Sequence, residues 1–474
     1  MRLLSVNRNF YFFGIFFSVL YLFLNVFHSV LYAQLGIKAR YLQSFPNWFL
    51  VFNSVAFVGL LILLNYYYHK KYWIALGAAL ISGGAGFFHA TVVYFMLTAQ
   101  RLESAFIGSY NLQLLALIGY GICILVSSTR KRYWLKIAGV SMLILGIALT
   151  VSFIWSLNTL DFELRRVFDK IHIGITMVGG LLPLPFILNF REELRLLPSE
   201  NGKFGTSKII KACLIALTVL VLIPSINLIR DGIENVLVNK TPSEQEKRLA
   251  EPFEALTFVN AEGQSLPYRL MKPLDYNPQE KYPLAVCLHH GGGNGIENVM
   301  QIQTSELAQV LAKPENRKKY PAFLFVPQCP PGSSFGGIPN YPKIDDLVFE
   351  AMAALEKEFS IDEKRRYVMG VSLGGFGSWN FIGVRPDLFA AAMPICGGGN
   401  PEHAKNMVDI PIWAFHGELD WNVPVKLSRD MVNGIRKAGG SPKYMEFEGT
   451  GHNIWDSVDE TPGKLEWLFA QKRE

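Results

Sequence analysis

The chain predicts two architectures in series: a polytopic α-helical membrane bundle, then a doubly wound, mostly parallel α/β sheet domain. Three observations carry this. Hydrophobic residues make up 50% of the 474 and charged residues only 18%, with mean hydropathy +0.22, too apolar for an ordinary soluble enzyme. The charge is unevenly divided: residues 1–230 hold 20 Lys+Arg and 7 Asp+Glu, a balance of +13, while 231–474 hold 25 and 32, a balance of −7. Finally, long apolar runs crowd the first half, whereas the second alternates short strand-like runs with helical patterns.

In the first half, spans are expected near residues 10–33, 48–66, 73–97, 105–127, 134–155, 172–190 and 209–229. Polar, basic punctuation such as His69-Lys70-Lys71 and Arg130-Lys131-Arg132 separates them. No small-residue cleavage site follows the first run, so a removable signal peptide is a poor explanation for it. The span at 172–190 carries Pro183 and Pro185 and is the least regular, which leaves six spans as the competing count. With seven spans, thirteen basic residues fall on one side and seven on the other. The richer side should be cytoplasmic, which places the N-terminus inside and everything after residue 229 outside a plasma (inner) membrane. Aromatic residues at span ends, among them Trp48, Trp73, Trp134 and Trp155, fit interface anchors. His28, His89 and His172 fall in or beside apolar runs. They read better as neutral imidazoles bonded to neighbouring helices, or lying near the interface, than as a metal, haem or proton-relay site. No Asp or Glu is expected deep in a span, which argues against a proton-coupled transporter. The basic balance thus belongs to the membrane half and implies no nucleic acid. Five cysteines without C-x-x-C spacing imply neither a zinc site nor a disulfide framework.

Residues 1–230 therefore form the multi-span domain, 231–252 a polar tether or helical stalk, and 253–474 a catalytic-sized second domain. Strands are expected at 254–259 and 266–272 as a hairpin, then at 283–288, 322–326, 366–371, 390–395, 411–415 and 443–447. Helical patterns at 305–312, 344–359, 375–381, 425–438 and 463–471 alternate with them, the rhythm of a parallel sheet covered on both faces.

Within that domain, Gly370-Val371-Ser372-Leu373-Gly374 stands between a strand-like and a helix-like run. G-x-S-x-G in that context is a nucleophile elbow, a sharp turn that presents a serine hydroxyl at a strand end. Upstream, a strand runs into His289-His290-Gly291-Gly292-Gly293, a loop with backbone N–H groups able to face a developing oxyanion, with the Leu373 N–H as second donor. No P-loop Lys-Ser/Thr follows, so a nucleotide cradle is a poor fit. Downstream, Asp420 lies just past a strand end, where a triad acid should sit, with Glu418 as the rival carboxylate. His452 follows the next strand, beside Gly451, and the order Ser372, Asp420, His452 is the one such a sheet produces. His289, His290, His403 and His416 fit bland loop roles better. Phe376, Trp379, Trp421 and Trp455 lie close in sequence to these residues and could wall an apolar acyl pocket, or be core. The 330–341 loop, rich in Gly and Pro, is the one lid-like stretch.

With these residues in hand, the second half resembles the dienelactone hydrolase/prolyl-oligopeptidase-like esterase group of the α/β-hydrolase superfamily. The matching segments are 266–270, 281–284, 326–330, 370–379, 394–399, 413–424 and 451–455, spread through nearly all of 255–472. The resemblance implies a Ser-Asp-His triad at Ser372, Asp420 and His452, acting on a small-molecule, lipid or saccharide ester without metal or organic cofactor. The group usually has one His before the glycines; here His289 and His290 are adjacent, so either Gly291 or Gly292 could supply the loop's oxyanion donor. Peptidase or acyltransferase chemistry on the same triad, or a receptor or transporter with a hydrolase-like binding module, are the other readings. Binding modules derived from hydrolases usually lose the Ser or the His, and both are present here.

Overall fold

The computed structural model describes residues 6–35, 42–99, 102, 105–127, 133–159, 162–197, 208–236, 242–420 and 422–474. The chain divides into two compact units, one of residues 1–159 with 164–238 and the other of 239–474 with 160–163.

The first unit is helical: α1 (Arg8–Leu35), α2 (Phe45–His69), α3 (Trp73–Ala99), α4 (Phe106–Ser127), α5 (Tyr133–Asn158), α6 (Phe162–Gly179), α7 (Leu184–Leu196) and α8 (Lys208–Val236). Seven stretches among the described residues are long and apolar enough to cross a membrane, Val167–Leu196 being the sixth. That stretch is not one continuous helix. Pro183 and Pro185 cannot donate backbone hydrogen bonds, so the chain turns after Gly179 and restarts as α7. The last span runs past residue 230 to Val236, where its Asp231 accepts a bond from the Ser44 N–H at 2.9 Å.

Helices α2 to α5 are apolar on every side, and Ile81, Phe87, Val126 and Ile144 point outward at 63–69% exposure, as lipid-facing residues do. Their inner contacts are close because small residues allow it: a Cβ on Gly121 would lie 2.7 Å from the Gly139 carbonyl, and one on Gly139 2.8 Å from that of Gly121. Several polar groups are paired inside the bundle. His172 meets Ser152 at 2.8 Å and the Tyr110 hydroxyl at 3.1 Å, while His89 meets Ser109 at 3.0 Å. One expectation is corrected here: Glu193, in the part of α7 read as inter-span punctuation, is buried and takes bonds from Lys70, Tyr11 and Tyr66.

The second unit opens on α9 (Glu244–Ala250), whose Ser243 and Glu246 form a reciprocal capping box. Ala250 and Phe253 then enter a hydrophobic core, so the stretch at 244–253 is docked structure rather than free tether. The strands are β1 (Glu254–Val259), β2 (Ser265–Met271), β3 (Tyr282–Leu288), β4 (Phe323–Pro327), β5 (Ile361–Val371), β6 (Ala391–Ile395), β7 (Trp413–Gly417) and β8 (Lys443–Phe447). They form one sheet in the order β1-β2-β4-β3-β5-β6-β7-β8. The β1–β2 and β2–β4 pairs are antiparallel and the rest parallel. This is an α/β-hydrolase sheet. β5 starts five residues earlier than its apolar run, because its first turn of charged residues, Asp362 to Arg365, lies toward solvent.

Between the strands run α10 (Met300–Gln303), α11 (Glu306–Ala312), α12 (Pro314–Lys319), α13 (Asp345–Glu358), α14 (Leu373–Val384) and α15 (Lys426–Lys437), and after the last strand α16 (Trp455–Glu460) and α17 (Lys464–Phe469). Two hydrophobic clusters flank the sheet, one built around Phe323, Trp379 and Phe381, the other around Tyr367, Met369 and Phe415. In such a sheet, ligands bind beyond the carboxyl ends of the strands, near where the strand order reverses. That reversal lies around β3 and β5, whose last residues pair at Leu288 and Gly370.

The small-residue contact between α4 and α5 makes a prediction. Replacing Gly139 by Leu forces the two backbones apart, and overpacking of this kind costs about 1–3 kcal/mol. The expected result is a lowered melting temperature of the full chain in detergent, against little change for Gly59→Leu, where a Cβ would meet nothing within 4 Å.

Candidate active site

Ser372 sits between β5 and α14 with φ +54° and ψ −110°, a conformation costly for any residue with a side chain. The surroundings enforce it. The Ser372 N–H donates to the Ile395 carbonyl at 2.8 Å, and its own carbonyl accepts the first helical bond from Phe376 at 2.9 Å. A Cβ at Gly374 would overlap the Leu288 carbonyl, and one at Gly370 would lie 2.5 Å from the Gly374 carbonyl. Both outer glycines of G-x-S-x-G are thus demanded by backbone crossing backbone. Leu373 is the first residue of α14, so its N–H has no partner within the helix.

The next loops on the same edge bring the acid and base together. Asp420 follows β7 and His452 follows β8, and the His452 Nδ1 lies 2.6 Å from Asp420 Oδ2. A Cβ on Gly417 would overlap the Gly451 carbonyl, so these two loops meet where neither has a side chain. The other carboxylate oxygen, Oδ1, accepts the N–H groups of Asn422 and Val423 at 2.9 Å each. Burial alone would raise the Asp420 pKa, but the charge and hydrogen bonds of His452 and His416 hold it well below the usual carboxylate range. The rival Glu418 instead accepts the Gly449 N–H at 2.9 Å and stays outside this cluster. The edge between β5 and β8 is bridged by β6: Ile395 holds Ser372, and the Cys396 thiol donates to the His452 carbonyl at 3.5 Å.

The glycine loop after β3 forms a short 3-10 turn over Gly291–Gly293. Its two histidines have different tasks. His289 is fully buried: its Nδ1–H donates to the His290 carbonyl at 2.7 Å and its Nε2 accepts the Cys329 N–H at 2.9 Å. His290 accepts the Gly292 N–H on Nδ1 at 3.0 Å, and its ring stacks on Trp455 with centroids 6.2 Å apart. Trp455 in turn meets His452 edge-on at 5.8 Å, so the glycine loop and the histidine loop share one aromatic layer. Of the two candidate donors in the loop, Gly292 is therefore occupied by its neighbour's ring. Gly291 begins the turn, and a Cβ there would meet nothing within 4 Å, so its face is open.

The remaining expectations divide. Phe376 is buried on the first turn of α14 with its ring against Gly398, and Trp455 is half-buried beside His452. Trp421 lies outside the described residues. Trp379 belongs to the core cluster rather than to a pocket. The 330–341 loop is pinned by buried Phe335 and by the Asn294 side chain donating to the Pro330 and Ser333 carbonyls. His416, expected in a bland loop role, lies instead within β7. It is fully buried and its Nε2 stands 3.1 Å from Asp420 Oδ2. The signal was there in the four-residue spacing from histidine to acid around a turn that Gly417 makes tight.

Comparison with known proteins gives no matching family model and no matching curated protein. Among solved structures, one titled as a thermostable esterase is 40% identical over 48% of this chain and 64% of its own, with a TM-score of 0.46. A ferulic acid esterase is 14% identical over 46% of this chain and 97% of its own, with a TM-score of 0.37. The chain thus spans less than two thirds of the thermostable esterase.

The buried histidines predict acid lability. Burial lowers His289 to about 3, and burial with the nearby His452 lowers His290 to about 4, from an ordinary 6.5. Both are neutral when folded, so between pH 6.5 and about 4 only the unfolded chain takes up these protons. Stability is complete above 6.5 and falls on acidification, by up to about 1.4 kcal/mol per pH unit for buried His289 and by less for His290, whose side chain is 31% exposed. Denaturant titrations at stepped pH should show that slope, and His290→Gln should remove the smaller share of it.

Proposed function

We propose that this chain is a membrane-anchored serine hydrolase acting on carboxylic esters, with its catalytic unit on the non-cytoplasmic side. The contact between His452 Nδ1 and Asp420 Oδ2, 2.6 Å long and buried, carries the reading, because it leaves His452 Nε2 as the base for a serine held at a strained elbow. In this reading Ser372 Oγ attacks the ester carbonyl as His452 takes its proton. Asp420 fixes the tautomer and stabilises the imidazolium that forms. Negative charge gathers on the former carbonyl oxygen and is received by the N–H groups of Leu373 and Gly291, donors that need no reorganisation when the charge appears. His452 returns the proton to the leaving alcohol, and water, activated by the same ring, releases the acid from the serine.

We take an ester rather than a peptide as the substrate class. The motif resemblance to the dienelactone hydrolase/prolyl-oligopeptidase-like group and the esterase titles of the two solved structures support the same choice. Phe376 and Trp455 border the acyl site. The seven apolar stretches and the excess of basic residues on the N-terminal side support the topology.

A fluorophosphonate probe should label the wild-type chain and not Ser372→Ala; failure of the wild type to label would overturn the serine mechanism. Asp420→Asn should keep the fold but lower turnover of a p-nitrophenyl ester by about 10⁴-fold. For topology, protease added to intact spheroplasts should remove residues 240–474 without lysis; cleavage only after lysis would place the catalytic unit inside.

A further inference from the structure

Asp420 receives an unusual set of donors. Oδ1 takes two backbone N–H groups, from Asn422 and Val423. Oδ2 lies 2.6 Å from His452 Nδ1 and 3.1 Å from His416 Nε2, whose single proton is shared between Oδ2 and the Val423 carbonyl at 2.9 Å. The second ring does not come from solvent or from a flexible loop. His416 lies within β7, fully buried, with Nδ1 2.7 Å from the Ser428 hydroxyl on α15 and Nε2 also 2.9 Å from the Val423 carbonyl. Ser428 reaches the Gly397 carbonyl after β6 at 2.9 Å, so the ring is fixed from two neighbouring elements. Both oxygens facing Nε2, one carbonyl and one carboxylate, can only accept, so Nε2 must be the protonated nitrogen.

We propose that His416 is a positioning residue for the triad: its Nε2–H restrains Asp420 Oδ2 and shares that oxygen's charge with His452. The inference rests on the hydrolase reading above. A carboxylate with a single donor on Oδ2 is free to swing about its Cβ–Cγ bond and concentrates its charge on the one imidazole it meets. With the second donor, Oδ2 stays in place between two rings, and the attraction it exerts on the catalytic imidazole is moderated. The balance matters because the base must hold its proton strongly enough to take it from serine and weakly enough to pass it to the leaving alcohol.

Other groups face this pair. Glu446 on β8 is engaged by Arg429 and by the Tyr444 hydroxyl. His290 and Glu306 lie on the far side of His452, with His290 Nε2 3.8 Å from Glu306 Oε1. Cys396, His416 and Asp420 hold their ligand atoms within 4.8 Å of one another. That group is a poor metal site: both nitrogens of His416 already face protein oxygens, and both oxygens of Asp420 carry two donors.

Two substitutions separate positioning from packing. Glutamine places its amide nitrogen near the place of Nε2, whereas asparagine reaches only as far as Nδ1. His416→Gln therefore keeps the bond to Oδ2 and His416→Asn loses it. In full-length protein in detergent, p-nitrophenyl butyrate turnover is measured across the acid limb of its pH profile. Without the second donor, Oδ2 draws harder on the protonated form of His452, so the base is taken out of use at a higher pH. His416→Asn should move the acid limb upward by about half to one pH unit, and His416→Gln should leave it near the wild type. Melting temperatures of the two variants control for packing, since a purely structural role would lower them without separating the profiles. Acid limbs of His416→Asn and wild type that coincide, or His416→Asn and His416→Gln moving together, would overturn the proposal while leaving the hydrolase reading intact. A wild type without turnover would overturn both.

Discussion

The α/β half depends on one crowded junction, the crossing of β5 into α14. There the chain must reverse direction between two backbones with no room for side chains, the Leu288 carbonyl on one side and the Ile395 carbonyl on the other. A Cβ at Gly375 would overlap Ile395, just as one at Gly374 would overlap Leu288. Ser372 absorbs the geometry by taking a positive φ that would cost on the order of 1–3 kcal/mol in isolation. The strain is held by a sheet with two buried faces, and it leaves Ser372 at the carboxyl edge, at the start of α14. Everything else in the site is arranged along that edge, one loop per strand from β3 to β8.

The second constraint is electrostatic. Asp420 is a buried anion, and a buried anion without donors would be prohibitively costly. Its cost is offset by four donors, two of them backbone N–H groups that cannot titrate. The neighbouring histidines solve the opposite problem. His289 and His290 are kept neutral, and each spends its acceptor nitrogen on a backbone N–H, which shapes the glycine loop rather than competing for a proton. One edge therefore holds four histidines, and in the reading given above it is His452, bonded through Nδ1 to Asp420, that takes the serine proton.

How far this was legible in the sequence follows from what kind of contact each residue makes. The meeting of Asp420 with His452 and the turn at Ser372 were legible because each residue lies at or shortly after a strand end, and strand ends are fixed by apolar periodicity and local turn residues. The sheet was legible for the same reason, except at the charged start of β5, where position in the sheet overrides composition. The irregularity of the sixth span was legible in Pro183 and Pro185, but where the helix stops and restarts was not, because the prolines interrupt hydrogen bonding rather than apolarity. Glu193 was missed because its partners, Tyr11, Tyr66 and Lys70, lie more than a hundred residues away. The choice between Gly291 and Gly292 was not legible at all. It turns on whether one imidazole folds back onto the next residue but one, which no pattern of residue types encodes.

The cysteines bear on the compartment. An outward-facing catalytic unit would fold where thiols are oxidised, and this one carries Cys287, Cys329 and Cys396 in its interior. Cys287 and Cys329 are not disulfide-bonded. Burial pushes both thiols up to about 12, so the thiolate that would attack a disulfide is nearly absent at neutral pH. Each is also enclosed in the sheet or its first loop, out of reach of an oxidant unless the domain opens. Buried thiols of this kind behave as small apolar side chains. Their presence therefore does not argue against an exterior location, and the placement of the catalytic unit rests instead on the parity of the spans, where a seventh helix decides the side.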